Sequence, residues 1–374
     1  MRQELTIIII TYLILFVVGA ISMYSLDIAK ERVLASESNF FIKHIVSLGI
    51  GLIMFYITMN IPFSFYEKYV NFFYIIGILL LLAVFAFPSI NGVHRWIRIG
   101  SFTFQSSELA KIILILYLSV YAKKNSKEMD TFLKGFIIPV GISLVYVFLI
   151  FLEPNLSTAL LTFVVALIAI YYSGAKFRYF ILSFTFLVIL LILASSFGLL
   201  HAYQLGRLRH FFSGVIVPQV DVALKTLKNS GATGVGIANG WLKVYVPEAE
   251  SDFVLAIIGE DWGFFGILVI TVVYLFLTYA LMKVASYISD KALRVFTWSY
   301  ATVILMHVTI SLGVFSGFLP VTGVPLPFVS TGGSSIMSLL IGFGIIMSGL
   351  AQKEESQRSS FQKSNTESSN DSEG

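Results

Sequence analysis

Ten stretches of this 374-residue chain are apolar over about the length a helix needs to cross a bilayer, some 20 residues. They fall near 5–24, 41–60, 68–88, 107–122, 133–152, 156–173, 178–199, 254–281, 293–316 and 333–351. Lipid offers no partner to an open backbone, so each is expected to be a helix. Composition agrees: 57% of residues are hydrophobic and only 12% charged, where a soluble chain carries about 25% charge. The expected fold class is therefore an all-α polytopic membrane protein of about ten transmembrane helices, with a long extracytoplasmic loop, about 200–253, between spans 7 and 8. A dinucleotide-binding enzyme, a nucleic-acid binder and a disordered scaffold are excluded. The absence of cysteine removes disulfides, thiol catalysis and Cys-based zinc sites.

An even number of spans places both termini on one side, and Lys and Arg in short loops mark the cytoplasm. With the N-terminus inside, inner segments hold Lys123, Lys124, Lys127, Lys134, Lys176, Arg178, Lys283, Lys291 and Arg294, while the outer segments 152–157 and 317–332 hold none. Both ends are expected to be cytoplasmic. The first outer loop, with Lys30, Arg32 and Lys43, runs against the trend. The first span has no persuasive cleavage site after it and reads as retained. The transmembrane domain is expected over 1–351, and the polar, Ser/Glu-rich 352–374 as a disordered cytoplasmic tail.

Polar residues inside such a chain carry the information. Glu108 and Lys111, three apart, share a helix face and can pair, for function or for helix packing. His94, Arg95, Trp96 and Arg98 just before them suit either an interfacial anchor or an anionic headgroup. The glycine run 230–240 has no dinucleotide-binding spacing, and tight turns or close approach to a ligand explain it better. Glu248, Glu250 and Asp252 cluster at the mouth of the eighth span, with Glu260 and Asp261 about two turns on. Such carboxylates suit general-base work, cation binding or helix capping. Finally, 319–335 holds three prolines, several glycines and hydroxyls between two apolar spans, so it is expected to be irregular and to line a cavity or lie buried. No HExxH, GxSxG or Walker A pattern is present, which disfavours zinc, serine or ATP chemistry.

Three long motifs carry a resemblance. NGVHRWIRIGSFTFQSSELAK, VPEAESDFVLAIIGEDWGFFG and LPVTGVPLPFVSTGGSS resemble, in order, segments of the SEDS family (shape, elongation, division and sporulation: the FtsW, RodA and SpoVE proteins). YQLGRL and EPNLST stand in the expected order, so the resemblance spans about 90–350. It implies a ten-span peptidoglycan glycosyltransferase that polymerises lipid II at the outer face of the bacterial cytoplasmic membrane. It also implies a class B penicillin-binding protein as transpeptidase partner, alongside other divisome or elongasome membrane proteins and membrane lipid, and no nucleic acid. The family's catalytic aspartate maps to Asp252, and its acid and base on the fourth span map to Glu108 and Lys111. Departures are Ser106 for Pro, Asn155 and Ser157 for Asp and Gly, Thr331 for Tyr, and Ala232 for Gly. The stretch before Asp252 lacks a pattern typical of RodA and lies closer to FtsW or SpoVE, hence to cell division.

Making a β-linkage from an α-linked diphosphate donor requires inversion, hence one base and a stabiliser for the departing diphosphate. Asp252 is the expected base. Expected substrate-binding residues are Glu108, Lys111, Arg95, Trp96, Gln105, Arg207, Glu248, Ser330, Gly332, Gly333 and Ser334, with Arg207 preferred for the diphosphate over Arg98 and Arg209. A divalent cation, Mg or Mn, is expected, shared by Glu248 or Asp252 with the diphosphate; the sequence assigns it no ligand set. The alternatives are a lipid II flippase or other lipid-linked transporter, an elongation-type polymerase of the RodA kind, and a non-catalytic scaffold.

Overall fold

The structure, a computed structural model, describes residues 1–88, 93–99, 102–181, 185, 189, 206 and 217–370. In chain order the helices are α1 (Arg2–Leu34), α2 (Phe40–Asn60), α3 (Phe63–Lys68), α4 (Val70–Ala83), α5 (Ser106–Lys124), α6 (Ile138–Leu152), α7 (Leu156–Tyr172), α8 (Pro218–Ser230), α9 (Val254–Ser286), α10 (Lys291–Phe315) and α11 (Gly333–Asn370). Among the described residues six helices are long and apolar enough to cross a membrane, and Val70–Ala86 and Leu156–Tyr172 are shorter apolar helices. The protein is an all-α multi-pass membrane protein. Charged Glu108 and Lys111 lower the mean hydropathy of α5, which is nevertheless enclosed on nearly all sides. The expected seventh span is helical at 178–181, 185 and 189, and its remainder lies outside the described residues. Among the described residues the departure from an all-helical architecture is a short antiparallel hairpin, β1 (Trp96–Ile99) with β2 (Phe102–Gln105), in the register Trp96 to Gln105.

Both ends of the membrane domain lie at one face. Glu4 pairs with Lys283 at the end of α9 at 3.0 Å, and Gln352 reaches Ser64 at 3.4 Å, just after the far end of α2. Lys123 closes the same face, bonding Glu67 and Asp290 at 2.6 Å each. The opposite face carries the 217–253 loop and is called the loop face below. The apolar part of α11 ends at Gln352, and the helix runs on to Asn370.

The helix α1 has 33 residues, about 50 Å, against a hydrocarbon core of about 30 Å. It therefore runs past the expected span 5–24, and its last turns project at the loop face. This accounts for the basic first loop: Lys30 lies 3.6 Å from Glu250, and Arg32 donates to Ala238 O at 3.1 Å. These cations clamp the loop rather than report membrane sidedness.

The glycine run folds onto α9. Gly263 interrupts that helix with φ 70°, and the loop segment 231–236 fills the break. Val235 N donates to Glu260 O at 2.9 Å and Gly236 N to Asp261 O at 3.1 Å, while Phe264 N and Phe265 N donate to Gly231 O and Ala232 O at 3.1 and 3.0 Å. A Cβ at Gly234 would lie 2.4 Å from Asp261 O, and one at Gly263 2.4 Å from Ala232 O. The close approach expected of these glycines is thus to the protein's own helix rather than to a ligand.

Candidate active site

A 470 Å³ chamber opens between the β-hairpin, the start of α5, the turn before α9 and the irregular segment before α11. Its wall includes Arg95, Trp96, Gln105, Glu108, Asn155, Glu248, Asp252, Gly323, Gly332, Gly333 and Ser334. Nine of the expected site residues therefore come together here, from four separate stretches of sequence. Lys111, Ser330 and Arg207 do not. Lys111 lies behind Glu108, Ser330 is turned into the protein, and Arg207, with Tyr203, Gln204 and Arg209, lies outside the described residues.

Asp252 is set by the turn that precedes α9. Glu248 adopts φ 56°, a left-handed conformation unusual for a side chain larger than glycine. Its carbonyl then accepts three backbone N–H groups, from Ser251 and Asp252 at 3.1 Å and Phe253 at 3.2 Å. The segment 326–331 secures this turn from outside. Thr331 donates to Glu250 O through both N and Oγ1 at 2.9 Å, and Ser330 Oγ donates to Ser251 O at 2.5 Å while accepting from Leu326 N at 3.0 Å. Ser330 is therefore a strut of the aspartate's turn and not a wall of the chamber, a correction to its expected substrate contact: the hydroxyl is buried and both of its bonds are internal. Gly323, with φ 77°, brings the 319–332 segment against the carboxylate, and a Cβ there would lie 3.5 Å from Asp252 Oδ2.

Across the chamber, Glu108 and Lys111 form the expected pair at 2.8 Å, both buried. Sequence reasoning missed their third member. His307 on α10 places Nε2 3.0 Å from Lys111 Nζ and Nδ1 3.2 Å from Pro325 O. The ring must donate from Nδ1 to the carbonyl, leaving Nε2 to accept from the ammonium, so the imidazole is neutral. The ion pair is tied in this way to the proline-rich wall.

The backbone of Gln105 donates to Ser334 Oγ at 2.8 Å, joining the hairpin to the start of α11. Gly333 packs against α2, where a Cβ would lie 2.6 Å from Ser47 Oγ. Arg95 donates through Nε to Glu153 O at 3.4 Å and through a terminal nitrogen to Pro154 O. Burial pushes Glu153 up to about 8, against the opposing pull of a hydrogen bond from Ser106 and the charge of Arg95. The Ser106 hydroxyl sits 3.4 Å from Glu153 Oε1.

Glu260 and Asp261 do not join the carboxylate cluster, although their place in the sequence pointed there. Glu260 accepts from the backbone of Leu242 at 2.7 Å and Lys243 at 3.1 Å, and Asp261 pairs with the fully buried Lys243, which also bonds Ser25 on α1 at 2.7 Å. They anchor the loop to α9 and α1. Among the described residues no three His, Cys, Asp or Glu side chains converge as a metal cage. Glu248 and Asp252 do face the chamber together. Magnesium is usually held by one or two carboxylates plus substrate phosphates, and this donor set fits that pattern.

Residues 5–355 match the FtsW–RodA–SpoVE family, described as cell cycle protein. A probable peptidoglycan glycosyltransferase FtsW from Wigglesworthia glossinidia brevipalpis is 30% identical over 344 residues, covering 89% of this chain and 90% of its own. A protein of the same name from Pseudoalteromonas translucida is 31% identical, covering 90% and 86%. Peptidoglycan glycosyltransferase MrdB of Escherichia coli is 32% identical, covering 82% and 84%. Among solved structures, one described as "Structural coordination of polymerization and crosslinking by a peptidoglycan synthase complex" superposes with a TM-score of 0.73 at 23% identity, over 93% of this chain and 96% of that one. The rod shape determining protein RodA of Thermus thermophilus gives 0.67 at 22% identity, over 91% and 94%. At that identity the likeness establishes the fold.

Proposed function

Because the chain belongs to the FtsW–RodA–SpoVE family of cell cycle proteins, we infer that it is a membrane-embedded peptidoglycan glycosyltransferase acting in cell division. Its substrate is lipid II, and its reaction runs in the chamber at the loop face. The observation that carries this reading is Asp252 held on a rigid turn in a polar chamber at the membrane boundary, opposite the buried Glu108–Lys111 pair. Sugars can enter such a chamber while their lipid chains stay in the bilayer.

Asp252 takes the proton from the acceptor hydroxyl as that oxygen forms its bond to the donor's anomeric carbon. The bond from the same carbon to the diphosphate oxygen breaks, and the polyprenyl diphosphate departs. Single displacement inverts the α-linked donor to a β-linked product. Arg95 lines the chamber wall and would supply positive charge beside the diphosphate, and Arg207 remains a second candidate by resemblance. Trp96 offers a ring face and Gln105 an amide to the sugars, with Ser334, Gly332 and Gly333 completing the floor. The neutral His307 holds Lys111, which pairs with Glu108 at the chamber wall. Glu248 and Asp252 would hold a magnesium or manganese ion, which would supply positive charge against the leaving group.

The loop face is then extracytoplasmic, both chain ends are cytoplasmic, and the membrane is the bacterial cytoplasmic membrane. A class B penicillin-binding protein is the partner that cross-links the strands, a reading supported by the similarity to a chain from a peptidoglycan synthase complex. The test is polymerisation of lipid II by the purified protein with that partner. Glycan strands are expected, whereas lipid II translocation without strands would identify a transporter instead.

A further inference from the structure

A second cavity of 280 Å³ adjoins the chamber and differs from it in character. It is an apolar groove between α7 and α10, walled by Leu160 and Val164 on one side and Met306 and Ile310 on the other, with Leu319 also lining it. Arg95, Asn155 and Thr322 line both cavities. A ligand crossing this junction passes from polar walls, beside a guanidinium, into aliphatic ones.

We propose that this groove seats the first isoprene units of the donor's polyprenyl chain, with Arg95 at the junction of chain and diphosphate. The proposal rests on the glycosyltransferase reading above. In the donor the diphosphate joins the reacting anomeric carbon directly to the polyprenol, so the lipid begins one diphosphate away from the reacting centre. That order of groups, sugar then dianion then hydrocarbon, is the order of chamber, Arg95 and groove. In the acceptor, the attacking hydroxyl and the lipid diphosphate sit on different sugars, so its chain enters the bilayer farther from Asp252. Asn155 fixes the junction by capping α7, its Oδ1 accepting from Thr158 N at 3.4 Å. Seating the chain here also aligns the scissile bond, because a hydrocarbon held in a groove restrains the diphosphate attached to it.

The test uses the full chain with its transpeptidase partner and a polyprenyl-diphosphate donor bearing a photoreactive diazirine in its first isoprene units. Labelling is expected on α7 or α10 peptides, and unlabelled polyprenyl diphosphate should compete it away. Labels spread over lipid-facing helices such as α2 and α4, without competition, would mean ordinary bilayer contact and overturn the proposal. Kinetics give a second readout. Val164→Trp fills the groove, and the ratio of KM for short-chain to full-length donor should fall roughly tenfold, the worth of about two buried methylenes. An unchanged ratio would overturn the proposal. Where the tryptophan variant fails to fold, labelling of the wild type decides. If the wild type labels on α7 and α10 yet makes no glycan, the groove stands and the polymerase reading falls.

Discussion

His307 and Lys111, 196 residues apart in the chain, meet at 3.0 Å in the protein interior. One ring nitrogen accepts from the ammonium and the other donates to Pro325 O, so a single side chain couples the buried ion pair to the proline-rich wall of the chamber. Gln can reproduce both bonds with its amide oxygen and nitrogen, whereas Leu leaves a buried ammonium short of a partner. His307→Gln should keep most of the rate. His307→Leu should lose roughly tenfold to a hundredfold in kcat, as expected for about 1–3 kcal/mol of unsatisfied polar burial. Polymerisation kinetics over a range of lipid II concentrations separate this from a KM effect, which would point to substrate contact instead.

The Lys243–Asp261 pair is fully buried, with Ser25 as a further acceptor for the ammonium. Removing one partner strands the other charge, so Lys243→Met should cost about 3–5 kcal/mol. Combining it with Asp261→Leu should recover much of that loss, because an apolar pair of similar volume needs no compensation. Unfolding of the detergent-solubilised variants measures both. A double variant no better than the single would show that the pair does more than anchor the loop.

Glu153 supplies a pH dependence. Its folded value of about 8 lies above the ordinary carboxylate value of 4.5, so the folded state holds a proton that the unfolded state has released. Stability from this group is complete below the unfolded value and is lost as pH rises through the folded one. Wild type should therefore lose thermal stability between about pH 4.5 and about pH 8, and Glu153→Gln should flatten that decline. Equal slopes in the two proteins would place the alkaline sensitivity elsewhere.

Gly323 combines φ 77° with closeness to Asp252, so any side chain there is strained and sits in contact with the carboxylate. Gly323→Ala should cost about 1–2 kcal/mol of stability and lower kcat more than KM. Melting and kinetics on the same preparation check the two effects together.

Much of this arrangement is legible in the sequence because its causes are local. An apolar run of bilayer length needs no tertiary information to become a helix, and Glu108 and Lys111 pair because of their spacing alone. The prolines and glycines of 319–332 forbid a helix, and the structure has none there. The remainder depends on which elements meet. His307 reads as an isolated histidine until α10 is laid against α5. The glycine run reads as a ligand loop until the break at Gly263 shows what it packs against. Lys30 and Arg32 read as a sidedness anomaly until α1 is seen to outrun the bilayer. Two departures from the family pattern also find their reasons in contacts. Asn155 still caps α7, as Asp would, and Ser106 gains a bond to Glu153 that Pro could not make.

The central claim is that Asp252 takes the acceptor's proton in the loop-face chamber. Its most direct test is lipid II polymerisation by the purified protein with its transpeptidase partner, comparing wild type with Asp252→Asn at matched folding. Asn keeps the shape and cannot accept the proton, so strands from wild type and none from the variant are the predicted result. Equal strand formation by both would contradict the assignment.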